Sequence, residues 1–163
     1  MPDVIVNTSP VQYLHQLGLL HLLPRLANRV IVPPAVVREL QTGRDRGVDL
    51  PVIEQQDWAS VRVPASAATL PLVGDLGRGE TEVLALALEQ PGSVAVLDDR
   101  LAREVAESLG IPFTGTLGLL LDAKRASMVP AGAPLLDELR KLRFHLDSAT
   151  REAVLLRAGE TAS

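Results

Sequence analysis

Short apolar runs that end in polar turns and hand over to helices recur along this chain, and that alternation restricts the fold more than any other feature. Val4-Ile5-Val6 is followed by Asn7-Thr8-Ser9-Pro10, Val30-Ile31-Val32 by Pro33-Pro34, Val94 to Leu97 by Asp98-Asp99, and Ile111 to Phe113 by Thr114-Gly115-Thr116. Continuous rather than alternating hydrophobicity in such runs marks strands covered on both faces. Strands of this kind alternating with helices define an α/β fold, a central mostly parallel sheet within three α/β/α layers. Right-handed crossovers then place the strand carboxyl ends on one edge. In open α/β sheets that edge is where ligands bind.

Turn and cap signals set the expected boundaries. Ser9 is placed to cap a helix whose first residue is Pro10, running to Gly18, with a second helical piece at Leu19 to Leu23 before Pro24. A helix carrying Val36, Val37 and Leu40 follows Pro33-Pro34. From Gln41 to Arg78 glycines and prolines interrupt the pattern, leaving a short helix near Val52 to Gln56, an extended piece at Val61 to Val63 and a connection. Helices are expected from Glu80 to Gln90, from Asp99 to Leu109 with Gly110 ending it, and from Thr116 onward. Two more are expected near Leu135 to Leu142 and Ser148 to Arg157. With 163 residues and 47% hydrophobic content one core suffices, so residues 1–159 are expected to form a single domain and 160–163 a frayed tail.

Composition removes several kinds of chemistry. The chain has no cysteine, which rules out disulfides, thiolate zinc sites and cysteine nucleophiles and suits a reducing cytoplasm. No stretch approaches the roughly 18 uninterrupted apolar residues of a membrane span, and the amino terminus lacks the pattern of a secretory signal. None of His15, His21 and His145 sits beside a candidate serine in a strand-end loop, and neither GxSxG, GxxxxGK[ST] nor GxGxxG occurs. A net charge of −4 argues against a general nucleic-acid coat protein. Lys124, Arg125, Arg140, Lys141, Arg143 and His145 nonetheless make the carboxyl-terminal third basic. They read either as a solvated helix face or as a rim that holds RNA. With four aromatic residues in the chain, base stacking is not expected to dominate such a contact.

The polar residues that the alternation delivers to one edge are mostly acids. Asn7 follows the first strand, Asp98 and Asp99 follow the Val94 strand, Thr114 and Thr116 follow the Ile111 strand, and Glu39 and Glu80 come from helices that lean over the same edge. Each has an ordinary explanation: a cap for Asp98, Asp99, Thr114 or Thr116, the helix dipole for Glu80, a surface position for Glu39. Their convergence is the informative part. Two carboxylates about 4 Å apart repel by roughly 4 kcal/mol at an effective dielectric near 20. Protons or a divalent cation must offset this, and with oxygen ligands the fitting ions are Mg²⁺ and Mn²⁺. Such an ion suits phosphodiester hydrolysis.

The ordered motifs VNTSP at Val6 to Pro10, GETEVLALA at Gly79 to Ala87, LDDRLAR at Leu97 to Arg103 and TGTLGLLLDAKR at Thr114 to Arg125 resemble those of PIN domains, in particular the bacterial and archaeal PIN-like subgroup related to VapC-type toxins. The resemblance spans Val4 to about Phe144. It implies the three-layer fold and, for catalytic members, Mg²⁺- or Mn²⁺-dependent cleavage of single-stranded RNA by a cytoplasmic, commonly dimeric toxin held by a small antitoxin. Carried over by motif, Glu39, Glu80 and Asp99 are the catalytic acids. Asn7, Glu39, Glu80, Asp98 and Asp99 are the metal ligands, and Ser9, Thr114 and Thr116 support the geometry around them. Lys124, Arg125, Arg140 and Lys141 are the candidate RNA contacts. The departure is Asn7, where catalytic members place an aspartate that binds the metal. The alternative is therefore a catalytically degenerate PIN-like module that binds RNA or protein.

Overall fold

The computed structural model describes residues 1–65, 76–130, 133–142, 155–157 and 159. Five strands form one all-parallel sheet: β1 (Val4–Val6), β2 (Val30–Val32), β3 (Ala59–Val61), β4 (Val94–Val96) and β5 (Phe113–Thr114), in the order β3-β2-β1-β4-β5. Helices flank this sheet in a three-layer α/β/α arrangement: α1 (Thr8–Gln16), α2 (Leu22–Leu26), α3 (Pro34–Asp45), α4 (Arg78–Glu89), α5 (Arg100–Ser108), α6 (Thr116–Arg125) and α7 (Ala133–Lys141). A short 3-10 turn, Ile53–Gln55, precedes β3. The central strands are buried on both faces, with Ile5, Val6, Ile31, Val32, Ala95 and Val96 fully enclosed, as their unbroken hydrophobicity requires.

The order of the strands decides where a site can form. From β1 the chain winds outward through β2 to β3, then returns to add β4 and β5 on the other side of β1. The switch lies between β1 and β4, and the crevice at their carboxyl ends is the place such sheets offer to ligands. Asn7 leaves β1 there, and Asp98 and Asp99 follow β4. Because α4 runs antiparallel to the β4 that follows it, the amino end of α4 also lies at this edge.

Several boundaries differ from the sequence reading for identifiable reasons. The first helix starts at Thr8, with Asn7 rather than Ser9 at the cap position, and Asn7 makes no side-chain cap bond. Pro10 is thus third in α1, and Pro24, expected to follow the second helix, is third in α2. A proline anywhere in the first turn sacrifices no i−4 hydrogen bond, so it does not by itself fix the first residue. β5 begins at Phe113 instead of Ile111 because Gly110, at φ 71°, closes α5 and the Ile111 amide donates to the Ala106 carbonyl. That amide is spent on the helix cap. The extended piece after the 3-10 turn pairs at Ala59–Val61 rather than Val61–Val63. Most of the helix expected at Ser148 to Arg157, with Arg143 and His145, lies outside the described residues, although 155–157 are helical. Among the described residues no helix is long and apolar enough to cross a membrane.

Candidate functional site

At the switch point a cavity of about 470 Å³ opens between β1 and β4, bordered by Asn7, Ser9, Glu80, Asp98 and Asp99, with Tyr13 and Arg100 completing its wall. Five of the residues expected at the edge therefore do share one cleft. Glu39 stands behind it: both of its carboxylate oxygens and the Asn7 Oδ1 crowd the Cα of Gly79. A methyl group placed on Gly79 would meet Glu39 Oε2 at 2.6 Å and Asn7 Oδ1 at 2.9 Å. Gly79 is the residue that lets α4 come this close to α3 and the end of β1.

Each acid already has internal partners. Thr8 Oγ1 donates to Glu39 Oε2 at 3.0 Å. The Gly77 amide donates to Glu80 Oε2 at 2.6 Å, so that Glu80 caps the start of α4 by itself, glycine having no side chain to return the contact. Asp99 caps α5, its Oδ2 accepting from the Ala102 amide at 3.0 Å. Asp98 does something different: Oδ1 accepts from the Thr116 amide at 2.8 Å, and Oδ2 from the Thr116 hydroxyl at 2.7 Å and the Ser9 hydroxyl at 3.0 Å. The two consecutive aspartates thus divide their work, one ending in its own helix and one clasping α6 and α1 to the end of β4. Ser9 is available for this because it is not the helix cap.

The electrostatics follow from the crowding. Burial raises the Glu80 carboxyl above its ordinary value, the Gly77 amide opposes this, the charges of Asp99 and Glu39 raise it further, and the Asn7 side-chain hydrogen bond lowers it. Tyr13 is raised by burial and by the Asp98 charge, so its phenol remains a proton donor. Asn7 is only 5% exposed, and its Oδ1 has no hydrogen-bond partner. An orphaned buried acceptor carries a desolvation cost of about 1–3 kcal/mol, and this one shares the crowded space at Gly79 with both carboxylate oxygens of Glu39.

Those observations test the fit of a cation. Asn7 Oδ1 is a neutral oxygen lacking a positive partner, Glu39 and Asp99 each commit one identified oxygen and keep the other, and Glu80 accepts from both the Gly77 amide and the Asn7 side chain. The donors are all oxygen, which suits Mg²⁺ or Mn²⁺. Among the described residues no three His, Cys, Asp or Glu side chains are gathered closely enough to cage an ion as they stand. Mg²⁺ commonly takes only one or two carboxylates and keeps its waters, so an open arrangement is compatible with it. Asp98, with both oxygens engaged, is the least available of the five.

The remaining expected residues lie elsewhere. Thr114 belongs to the sheet, its carbonyl accepting from the Leu97 amide at 2.8 Å, and it does not line the cavity. Lys124 and Arg125 close α6 at the end away from Thr116, about 12–14 Å along the helix at 1.5 Å per residue. Arg140 and Lys141 end α7, with Lys141 paired to Glu138 at 3.1 Å, and neither lines the cavity.

One carboxylate of consequence was not assigned from the sequence. Glu82, 7% exposed, accepts from the Ala35 amide at 3.0 Å and so caps α3 from α4. The signals were present. Pro33 at the cap position of α3 has no side-chain oxygen to offer, and Glu82 directly precedes the apolar run from Val83 to Ala87. Glu80 is half-exposed; the buried acid is two residues later.

The chain is thus an α/β protein of three layers with an acid-lined cleft at the switch point of its parallel sheet. Residues 3–160 match the family model DUF3368, a PIN domain, and the chain belongs to the PIN-domain family. A search of the curated proteins finds no match to it.

Proposed function

We propose that this protein is a metal-dependent ribonuclease that hydrolyses single-stranded RNA with Mg²⁺ or Mn²⁺. The observation that carries the reading is the buried, unpartnered Asn7 Oδ1 among Glu39, Glu80 and Asp99. Membership of the PIN-domain family supports a nuclease-type fold. A role as the cytoplasmic toxin of a toxin–antitoxin pair, with a small antitoxin and a homodimeric state, rests on the motif resemblance alone.

Asn7, Glu39, Glu80 and Asp99 are the residues that would hold the ion, with Asp98 beside them. When bound, such an ion supplies positive charge for the phosphate and leaving oxygens and acidifies an attacking water. The chain contributes the rest. Glu80, whose carboxyl is raised by burial and by its acidic neighbours, is assigned the general base. Asp98, held by Thr116 and Ser9, fixes the relative positions of β4, α1 and α6 around the cleft.

The test is cleavage of mixed-sequence single-stranded RNA by the purified protein. The expected result is cleavage that requires Mn²⁺ and is lost in Glu80→Ala and Asp99→Ala. The neutral Asn7 and the internally committed Asp98 favour a second reading, a PIN-like module that binds RNA or protein without cleaving. RNA binding by the wild type with no cleavage at any Mn²⁺ concentration would select it.

A further inference from the structure

Glu82 is approached by two guanidinium groups, Arg38 from α3 at 3.6 Å and Arg78 from α4 at 3.7 Å. Both distances exceed a direct hydrogen bond, so neither arginine spends a closely fitted donor on the carboxylate. Glu82 is buried while the arginine side chains are 61% and 80% exposed. One cation would neutralise one buried carboxylate. The second has no counterpart on Glu82, on a protein that is negative as a whole.

Position gives that charge its meaning. Arg38 immediately precedes Glu39, and Arg78 is followed by Gly79 and Glu80, so each arginine Cα is about 3.8–7 Å of chain from a site acid. Glu82 itself caps α3, which ties the two helices that carry both the arginines and the acids. The exposed planar forks are suited to phosphate. Beside a cluster of carboxylates that repels a polyanion, an adjoining cationic seat would hold the strand in place.

We infer that Arg38 and Arg78, anchored on Glu82, form a seat for the phosphate backbone of single-stranded RNA next to the acid-lined cleft. This rests on the proposed RNA substrate but not on cleavage. It replaces the basic end of α6 as the main electrostatic contact.

Fluorescence anisotropy with a mixed-sequence single-stranded RNA, in EDTA and over a salt series, tests it without turnover. Arg38→Ala/Arg78→Ala is expected to weaken binding by about tenfold, and at about 0.7 per neutralised phosphate the slope of log K against log salt should fall by about 1.4. Removing the same charge with Arg25→Ala/Arg29→Ala, on α2 and at the amino end of β2, is expected to leave the slope unchanged. Arg78→Ala alone, at a surface site, covers the case in which the double variant fails to fold, with a slope change of about 0.7. Equal slopes for the wild type and Arg78→Ala would overturn the proposal. So would wild-type protein that does not bind the RNA. RNA binding that depends on the arginines, in a protein that never cleaves, would sustain the seat and reject the nuclease.

Discussion

Replacing Asn7 with aspartate probes the site from both sides of its charge balance. Without metal, Asn7→Asp introduces a carboxylate at a position that is 5% exposed, near Glu39, Glu80 and Asp99. It also removes the amide that hydrogen-bonds Glu80. A single repulsion at about 4 Å is worth roughly 4 kcal/mol at an effective dielectric near 20. Protonation sets a ceiling: keeping an aspartate neutral at pH 7, about 3 units above its ordinary pKa, costs about 4 kcal/mol. A loss of about 2–4 kcal/mol is therefore expected in EDTA. For a domain of this size, at about 2–4 °C per kcal/mol, Tm falls by about 4–16 °C. Mn²⁺ at about 100 times its Kd returns about 2.7 kcal/mol, so the variant regains most of the loss and shows a larger Mn²⁺-induced shift than the wild type. Differential scanning calorimetry in EDTA and in Mn²⁺ reads both quantities. If Asn7→Asp melts with the wild type in EDTA, or gains no more from Mn²⁺, Asn7 does not face the acids as argued here.

Gly79→Ala should fold, since alanine favours a helix by up to about 1 kcal/mol, but its methyl displaces Glu39 and Asn7; a Mn²⁺-induced Tm shift equal to that of the wild type would contradict the close approach. Glu82→Ala leaves the buried Ala35 amide without its acceptor and is expected to lose about 1–3 kcal/mol in urea denaturation. Glu82→Gln, which keeps an acceptor, should recover part of it, and equal losses would show that the cap is not the cause. Glu80 has a raised folded-state pKa, so the folded state binds more protons and stability falls as pH rises above the unfolded value of 4.5. Glu80→Gln should flatten that decline between acid and neutral pH, and parallel stability curves for the two proteins would refute it.

The sheet was legible because β1, β2 and β4 carry their signal in consecutive residues. Buried parallel strands need no partner to be recognised as apolar runs. The choice between neighbouring side chains was less legible. Ser9 obeys the local rule for a helix cap, yet its hydroxyl serves Asp98, 89 residues away, a demand that no local rule contains. Glu80 is the acid of α4 that the motif singles out, but burial on α4 is decided by where α3 packs, and that contact selects Glu82. The basic residues at the end of α6 were counted by their position in the chain, whereas the direction of the helix carries them away from the cleft.

The clasp of Asp98 on Ser9 and Thr116 also sets a timetable. β1 is the central strand of the finished sheet, but one of its edges stays open until β4 has been made, and the clasp that closes the cleft needs Thr116 as well. Pairings between distant segments form late and slowly. A chain emerging from the ribosome therefore has Asn7 and Glu39 long before it has a cleft. The cleft is assembled only once Thr116 has been synthesised.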